Sequence, residues 1–327
     1  MLRQVRDLDW LWLFLVSWVA PFVVDGVSHL TYVRSLLFWL VPAILLLPRF
    51  LEYTDPGGRR RAALWTTTAG IVGLGILLDC VFGRIILQFD ESPTADYIGW
   101  LRLPQLGVNV PFEEFLFYAM APIAILFVYV WASEYWLAFY TPRFQATDTG
   151  TPAVEVSMLA IALSVVMLFA GIVIFHRNAA GTGPVPAYYT FLVVLALAPA
   201  VLLFSRMRRF VNWRAFGVTT LYVLMTSLIW EATLAVPRHW WGYKPSAMLG
   251  WYVNAWTQNA AWPFPIEAVF VWVACPFSCI LTYEFVKFRG YQANPSKPTY
   301  LRLSLDASSS PSAAPGAGAG AVRSLLV

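Results

Sequence analysis

Residues 108–133 read VNVPFEEFLFYAMAPIAILFVYVWAS. After the acidic pair Glu113 and Glu114, this stretch has no charged residue and is as long as a helix that crosses a bilayer, about 20 residues. A carboxylate inside a membrane is costly, about 2.5–3.5 kcal/mol near the bilayer centre, and usually marks function. The stretch therefore predicts a membrane-spanning helix with functional carboxylates near its start.

Apolar runs of similar length fill most of the chain. Hydrophobic residues make up 59% of the 327 residues and charged residues only 12%, whereas soluble domains average roughly a quarter charged. We predict an all-α fold, a polytopic transmembrane bundle of about eight spans. These spans cover approximately residues 9–28, 34–50, 63–86, 108–133, 154–175, 187–204, 214–235 and 263–286.

If the chain has eight spans, its lysines and arginines are unevenly divided between the loops on the two sides of the membrane. Sixteen fall on one side and six on the other, and the dense clusters 59–61 and 206–214 share the first side. The positive-inside rule then places both termini in the cytoplasm. The expected localisation is a multi-pass protein of the cell inner membrane.

An internal repeat relates the two halves of the chain. Matching landmarks are Pro42 and Pro199, Asp79 and Glu231, and Glu113 and Glu267, which lie 157, 152 and 154 positions apart. Each copy has an even number of spans, so the copies insert in the same orientation. We expect two parallel four-helix repeats, 1–150 and 151–290, followed by a disordered cytoplasmic tail, 291–327, rich in Ser, Ala, Pro and Gly.

Six acidic residues fall within the predicted spans. Four of them form two pairs that the repeat relates. All six lie either late in a span that runs outward or early in a span that runs inward, so they share one depth. They are Asp25, Asp79, Glu113, Glu114, Glu231 and Glu267. All six are expected in the non-cytoplasmic half, within reach of one another. Each alone also fits a pairing role with Arg84, Arg102, Arg238 or His239.

Aromatic residues surround these carboxylates in the sequence. A carboxyl group in apolar surroundings favours its neutral form and can act as a general acid, which suits protonation of an alkene. Aromatic faces can stabilise a carbocation, although each ring alone also fits an interface anchor. The rings are Phe112, Phe117, Tyr118, Trp230, Trp240, Trp241, Tyr243 and Trp262.

The motif of proline, any residue and glutamate heads an aromatic-rich span in both halves. This pattern resembles the membrane-integral lycopene cyclases of the heterodimeric bacterial and fused fungal type, over residues 10 to 288. The matching residues are Asp79, Pro111, Glu113, Glu114 and Phe117 in the first half, and Trp230, Glu231, Trp241, Tyr243, Pro265, Glu267 and Phe270 in the second. One departure is Ala268, which stands where the motif has a second acidic residue.

The resemblance implies redox-neutral cyclisation of a linear polyene end group to a β-ionone-type ring. It gives the acid role to Glu113 or Glu114, and charge stabilisation or proton removal to Glu267 and Glu231. The implied catalytic residues are Glu113, Glu114, Glu267, Glu231 and Asp79. The implied substrate-binding residues are Pro111, Phe112, Phe117, Trp230, Trp241, Tyr243, Pro265 and Phe270.

The expected partners are a lipophilic polyene, the lipid bilayer and other enzymes of carotenoid synthesis. No basic stripe fits nucleic acid, and no residue set with metal-ligand spacing is found. The cofactor stays open, because the glycines Gly70, Gly73 and Gly75 lack the strand and helix context of a dinucleotide loop.

Other functions remain open. The chain fits a cyclase of another linear terpenoid, or a transporter or proton-pathway protein with parallel repeats, which would spread its carboxylates across the membrane depth. A magnesium-dependent prenyltransferase would need clustered aspartates, and none is seen. A structural assembly factor would make the carboxylates dispensable.

Overall fold

The described part of the chain is mostly helical. A computed structural model describes residues 2–27, 30–54, 58–89, 97–103, 108–142, 157–178, 183–253 and 264–292. All but two residues of the tail predicted at 291–327 lie outside this part, as do residues 90–96 and Trp262. The described residues belong to one compact unit, Met1–Pro295.

Eight long helical stretches form the bundle, and four of them contain a π-helical turn. They are α1 (Leu2–Phe14, Leu15–Val19 and Ala20–Val27), α2 (Tyr32–Thr54), α3 (Arg59–Ile86), α4 (Phe112–Trp131 and Ala132–Trp136), α5 (Met158–Arg177), α6 (Ala187–Phe191, Leu192–Leu197 and Ala198–Met207), α7 (Trp213–Trp230 and Glu231–Ala235) and α8 (Ile266–Gln292). Each predicted span overlaps one of these helices.

Seven of the helices are long and apolar enough to cross a membrane, which indicates a multi-pass integral membrane protein. Their apolar parts are Leu8–Val27, Arg59–Cys80, Phe112–Trp136, Met158–Arg177, Ala187–Met207, Trp213–Ala235 and Ile266–Gly290. The remaining helix, α2, is 23 residues long, and its apolar part among the described residues, Tyr32–Pro42, is shorter than a span.

The expectation of an all-α chain is wrong in detail, because the loops at one end of the bundle contain short strands. These strands are β1 (Leu87–Gln88), β2 (Trp100–Leu103), β3 (Val108–Pro111) and β4 (Gly242–Tyr243). Strands β2 and β3 form an antiparallel hairpin, and β1 pairs with β4. Backbone N–H and C=O groups outside the helices still need hydrogen-bond partners, and the two pairs of strands supply them.

The predicted start of the fourth span at residue 108 is also wrong, since α4 begins at Phe112. Pro111 is extended, with φ −68° and ψ 149°, and pairs with Trp100 in the hairpin. The residue before a proline avoids the helical region, so the chain stays extended up to this point. The second half does the same: Pro265 bridges to Tyr252, and α8 begins at the next residue.

Helices α4 and α8 form the centre of the bundle. They pack against each other, and each also packs against the third helix of the other half, so that α4 contacts α7 and α8 contacts α3. Within its own half, α4 packs on α2 and α3, while α8 packs on α6 and α7. The two halves therefore share one pattern of contacts around the α4–α8 pair.

The β1–β4 pairing joins the two halves with a self-consistent register. Leu87 pairs with Tyr243 and Gln88 pairs with Gly242. Because the ladder is antiparallel, one offset of 155 positions relates each residue of the first half to the partner of its neighbour. This offset lies within the range of 152 to 157 positions that separates the matching landmarks of the two halves.

A buried ionic network closes the end of the bundle where α3 begins and where α4 and α8 end. Glu134 accepts from Arg60 at 2.8 Å, and Lys287 lies 3.6 Å from Glu134 and 2.6 Å from Glu284. Tyr129 donates to Glu284 at 2.9 Å. We call this part the basic end. It ties α3, α4 and α8 together through charges that are almost fully buried.

Replacing Lys287 by Met should lower the stability of the folded chain, because it leaves Glu284 buried without its cation. Removing one partner of a buried pair costs about 3–5 kcal/mol. At roughly 2–4 °C per kcal/mol, the melting temperature of the detergent-solubilised protein should fall by about 6–20 °C. Thermal unfolding followed by tryptophan fluorescence measures this change.

The matched control is Arg177→Met, at an exposed arginine that ends α5. It should change the melting temperature by only about 1 °C, since exposed substitutions are usually within ±0.5 kcal/mol. Equal melting temperatures for Lys287→Met and the wild-type protein would contradict a stabilising role for the network.

Candidate functional site

Three buried carboxyl groups lie at the opposite end of the bundle. Glu114 interacts electrostatically with Asp79 from α3 and with Glu231 from α7. All three residues are at most 3% exposed. We call Asp79, Glu114 and Glu231 the acid cluster. It brings together three of the predicted catalytic residues, from both halves of the chain.

Glu231 has the most complete hydrogen-bond set of the cluster. Its carboxylate accepts from the Ser227 hydroxyl at 2.9 Å, the Tyr243 hydroxyl at 2.6 Å and the Trp272 Nε1 at 2.7 Å. Three donors directed at one carboxylate offset part of the cost of burying its charge. The Glu231 oxygens therefore have their hydrogen-bond partners in place.

Tyr243, one of these donors, lies outside the spans. Burial raises the pKa of the Tyr243 hydroxyl well above its usual range, and the neighbouring Glu231 raises it further. The hydroxyl therefore keeps its proton and stays a donor to Glu231. The Tyr243 ring also stacks on Tyr188, with ring centroids 5.9 Å apart.

Glu114 accepts one hydrogen bond, from the Tyr32 hydroxyl at 2.6 Å. Tyr32 starts α2 and is buried. Its ring packs between Trp230, Trp240 and Trp241, at centroid distances of 5.0–6.0 Å. Among the residues that the structure describes, Glu114 is thus held by one donor and Glu231 by three.

Asp79 differs from both, because no described residue donates to either of its oxygens with good geometry. The Tyr118 side chain of α4 is the polar group that interacts with it. Two glycines leave space for the side chains of Asp79 and Tyr118. A Cβ on Gly83 would lie 2.4 Å from the Asp79 Oδ1, and one on Gly75 would lie 2.8 Å from the Tyr118 ring.

An aromatic cluster fills the space next to the carboxyl groups. Its centre is Trp230, which contacts Trp241 at 4.7 Å and stacks on Phe117 at 5.6 Å between ring centroids. Trp39 packs edge-on against Trp230, and Trp272 packs edge-on against Phe117. The rings of Trp39 and Trp272 are tilted by 30° to each other, with centroids 4.9 Å apart. The members are Tyr32, Trp39, Phe117, Trp230, Trp240, Trp241 and Trp272.

Glu113 and Glu267 have a different role from the acid cluster. The Glu113 carboxylate accepts from the backbone N–H of Ile98, and the Glu267 carboxylate accepts from the backbone N–H of Leu249 at 2.6 Å. Each glutamate thereby braces the loop that precedes its own helix. We call these two residues the loop braces.

The surrounding backbone is also repeated. The N–H of Phe112 donates to the Gly99 carbonyl at 3.0 Å, and the N–H of Ile266 donates to the Trp251 carbonyl at 2.9 Å. The proline-x-glutamate motif therefore builds the same loop-to-helix junction in both halves. Pro111 and Pro265 act in this junction through their strand and bridge pairings.

Two predicted substrate-binding rings stand apart from the aromatic cluster. Phe112 is 43% exposed and packs against Phe115. Phe270 stacks on Tyr189 of α6, with centroids 6.1 Å apart. The sixth predicted carboxylate, Asp25, forms a salt bridge with Arg238, which fits the pairing role.

Sequence analysis missed three members of the aromatic cluster, Tyr32, Trp39 and Trp272. A signal existed for the two tryptophans, because both lie inside apolar runs rather than at their ends, where interface anchors belong. Nothing in the sequence marked Tyr32. Its contacts join α2 to the loop after α7, and such long-range pairs have no local pattern.

Three buried carboxyl groups of the basic end were also not predicted, those of Asp9, Glu134 and Glu284. From Glu114 to Glu134 the chain rises 20 helical residues, about 30 Å. Carboxyl groups therefore lie at both ends of α4, in contrast to the expectation that they gather at one depth. Of those at the basic end, Glu134 and Glu284 are paired with Arg60 and Lys287.

In the described part of the chain, no three His, Cys, Asp or Glu side chains, those of the acid cluster included, are placed so that they could hold a metal ion together. Comparison with models of known protein families, with curated proteins and with solved structures finds no match to this chain. The acid cluster and its surroundings are therefore interpreted from their own geometry.

The loop-brace role can be tested by two substitutions of Glu113. A glutamine keeps the oxygen that accepts from the Ile98 N–H, so Glu113→Gln should unfold near the wild-type temperature. Glu113→Ala removes that acceptor, and an intramolecular hydrogen bond contributes about 0.5–1.5 kcal/mol to stability. Thermal unfolding of both variants in detergent distinguishes them.

The pair Glu267→Gln and Glu267→Ala provides the matched control in the second half. Because the Leu249 N–H is held in the same way, the alanine variant should again be the less stable one. If alanine and glutamine variants unfold at equal temperatures in both halves, the carboxylates do not brace the loops.

Proposed function

We propose that this chain is a carotenoid cyclase of the lycopene type, which closes the end group of a linear polyene by acid-initiated, redox-neutral chemistry inside the membrane. The observation that carries the proposal is the acid cluster, which is buried beside a cluster of seven aromatic side chains. The resemblance of both halves to membrane-integral lycopene cyclases supports the choice of substrate.

The hydrogen bonds favour a division of labour among the carboxyl groups. Among the described residues, only the Tyr118 side chain interacts with Asp79 as a polar partner, and a poorly compensated charge removed from water is costly, so this group is suited to carry a proton. Glu114, with one donor, interacts with Asp79 and can share the acid role. Glu231, with three donors, is suited to hold negative charge and to accept the released proton.

The reaction keeps atoms and electrons in balance. A carboxyl group adds its proton to the terminal C=C, which leaves a tertiary cation. The internal C=C attacks that cation and forms the ring C–C bond. Loss of a proton from the ring to a carboxylate forms the new C=C, so the product is an isomer. Faces of Trp230, Trp241 and Phe117 stabilise the positive charge.

This assignment narrows the roles inferred from the motif. The sequence left the acid role to Glu113 or Glu114, and the contacts favour Glu114, because Glu113 is engaged with the Ile98 backbone. Glu267 is engaged in the same way with Leu249. In the proposed mechanism both loop braces position the helices that carry the reacting groups.

The proposed topology has eight spans in two parallel four-helix repeats, with both termini in the cytoplasm. Three observations support it: the shared contact pattern around α4 and α8, the self-consistent β1–β4 register and the repeated proline-x-glutamate junction. The sorting of lysines and arginines supports the orientation. The acid cluster then lies in the non-cytoplasmic half.

A proton-pathway protein is the second candidate, because Glu134 and Glu284 place carboxylates at the other end of the bundle. The contacts of these residues weigh against it. Both are paired with buried cations. The Tyr129 hydroxyl, which donates to Glu284, also accepts from the backbone N–H of Asn212 before α7, so the network has its partners on that side as well. A proton path would need groups that exchange protons freely with water.

The experiment is pigment analysis of a lycopene-accumulating bacterial host that expresses the chain alone. The expected result is a pigment of unchanged mass with a blue-shifted absorption spectrum. The Asp79→Asn, Glu114→Gln and Glu231→Gln variants should each reduce product by at least about 100-fold, since general acid and base groups contribute 10²–10⁴-fold. Chromatography with mass spectrometry measures the product.

Glu113→Gln is the matched control, since it changes the adjacent carboxyl group but keeps the loop brace. It should retain most of the activity. Loss of activity in this variant, at equal protein level in the membrane, would return the acid role to Glu113. Unaltered lycopene with the wild-type chain would contradict the proposed substrate.

A further inference from the structure

The turn between α6 and α7 is strongly basic and faces outward. Its exposed side chains include Arg208, Arg209 and Arg214, and Arg206 stands one turn earlier at the end of α6. Four arginines within nine residues at the end of two candidate spans must lie near a membrane surface. This site lies at the basic end, about 30 Å from the acid cluster.

Aromatic side chains share the same surface. Phe139 and Tyr140, in the short helix Ala138–Tyr140 after α4, are 93% and 45% exposed. Trp213 at the start of α7 is 41% exposed. The Arg214 guanidinium lies over the Tyr140 ring, 3.7 Å from its centroid. The two turns therefore present one mixed surface of arginines and rings.

Hydrogen bonds from the buried Asn212 side chain hold the two turns together. The Asn212 side chain donates to the Leu137 carbonyl and to the Thr141 hydroxyl, both at 3.0 Å, and accepts from the Ala215 N–H at 3.1 Å. Trp213 donates from Nε1 to the Arg208 carbonyl at 2.8 Å. The surface is thus fixed in shape before any partner binds.

We propose that this surface binds the headgroup of an anionic phospholipid. Guanidinium groups recognise phosphate with strong, charge-assisted hydrogen bonds. Basic clusters next to membrane spans attract anionic lipid. A fully exposed phenylalanine beside them fits the acyl boundary of the same leaflet, where aromatic side chains anchor proteins. Charge and position together select a lipid as the occupant.

The test is native mass spectrometry of the full chain, purified in detergent and mixed with equal amounts of phosphatidylglycerol and phosphatidylcholine that carry the same acyl chains. The protein should retain phosphatidylglycerol preferentially, by about fivefold for each engaged arginine. The variant R208Q/R209Q/R214Q should retain the two lipids equally. Equal retention by the wild-type protein would overturn the proposal.

The matched control is R102Q/R177Q, which removes two exposed arginines from the other end of the bundle. It should keep the preference for phosphatidylglycerol. Loss of the preference in this control, or its persistence in R208Q/R209Q/R214Q, would show that the lipid binds elsewhere.

A third variant separates a lipid surface from a site for free phosphate. F139S should weaken retention of phosphatidylglycerol, because the acyl contact is lost while the arginines remain. Inorganic phosphate in large excess should displace the lipid only in part. Complete displacement by phosphate, together with unchanged retention by F139S, would assign the arginines to a free anion and contradict the lipid.

Discussion

The structure depends on the cost of placing carboxyl groups among apolar helices. The buried acids are held in three ways: by cations at Glu134 and Glu284, by backbone N–H groups at Glu113 and Glu267, and by side-chain donors at Asp9, Glu114 and Glu231. These contacts connect α3, α4, α7 and α8 at both ends of the bundle. Asp79 is the exception, since it is buried without a comparable partner, and it stands where chemistry is proposed.

Much of the helical framework could be predicted from sequence, because the bilayer sets the length of a span and apolar runs of that length can be read directly from the sequence. The starts of α4 and α8 could not be placed by hydropathy. Val108, Val110 and Phe264 are as apolar as a span, yet strand pairing and the backbone preference at Pro111 and Pro265 keep these residues out of the helices.

The candidate site was predicted in part. Matched positions in the two halves identified Asp79 and Glu231, and the first-half motif identified Glu114, whose carboxyl group interacts electrostatically with both. The same motif also marked Glu113 and Glu267, and no residue pattern distinguishes a brace from a reacting acid. That distinction needs the position of the Ile98 and Leu249 N–H groups. The role of Tyr32 could not be predicted for a similar reason, since only tertiary contacts place its hydroxyl against Glu114.

Ala268 occupies the position that corresponds to Glu114, and it is fully buried in a second core cluster with Tyr188, Leu192 and Phe264. Larger side chains in a well-packed core cost about 1–3 kcal/mol, and a buried carboxyl adds to this. Position 268 therefore admits only a small side chain, so packing in the second half and the chemistry proposed for the first half place opposite demands on the same position of the motif.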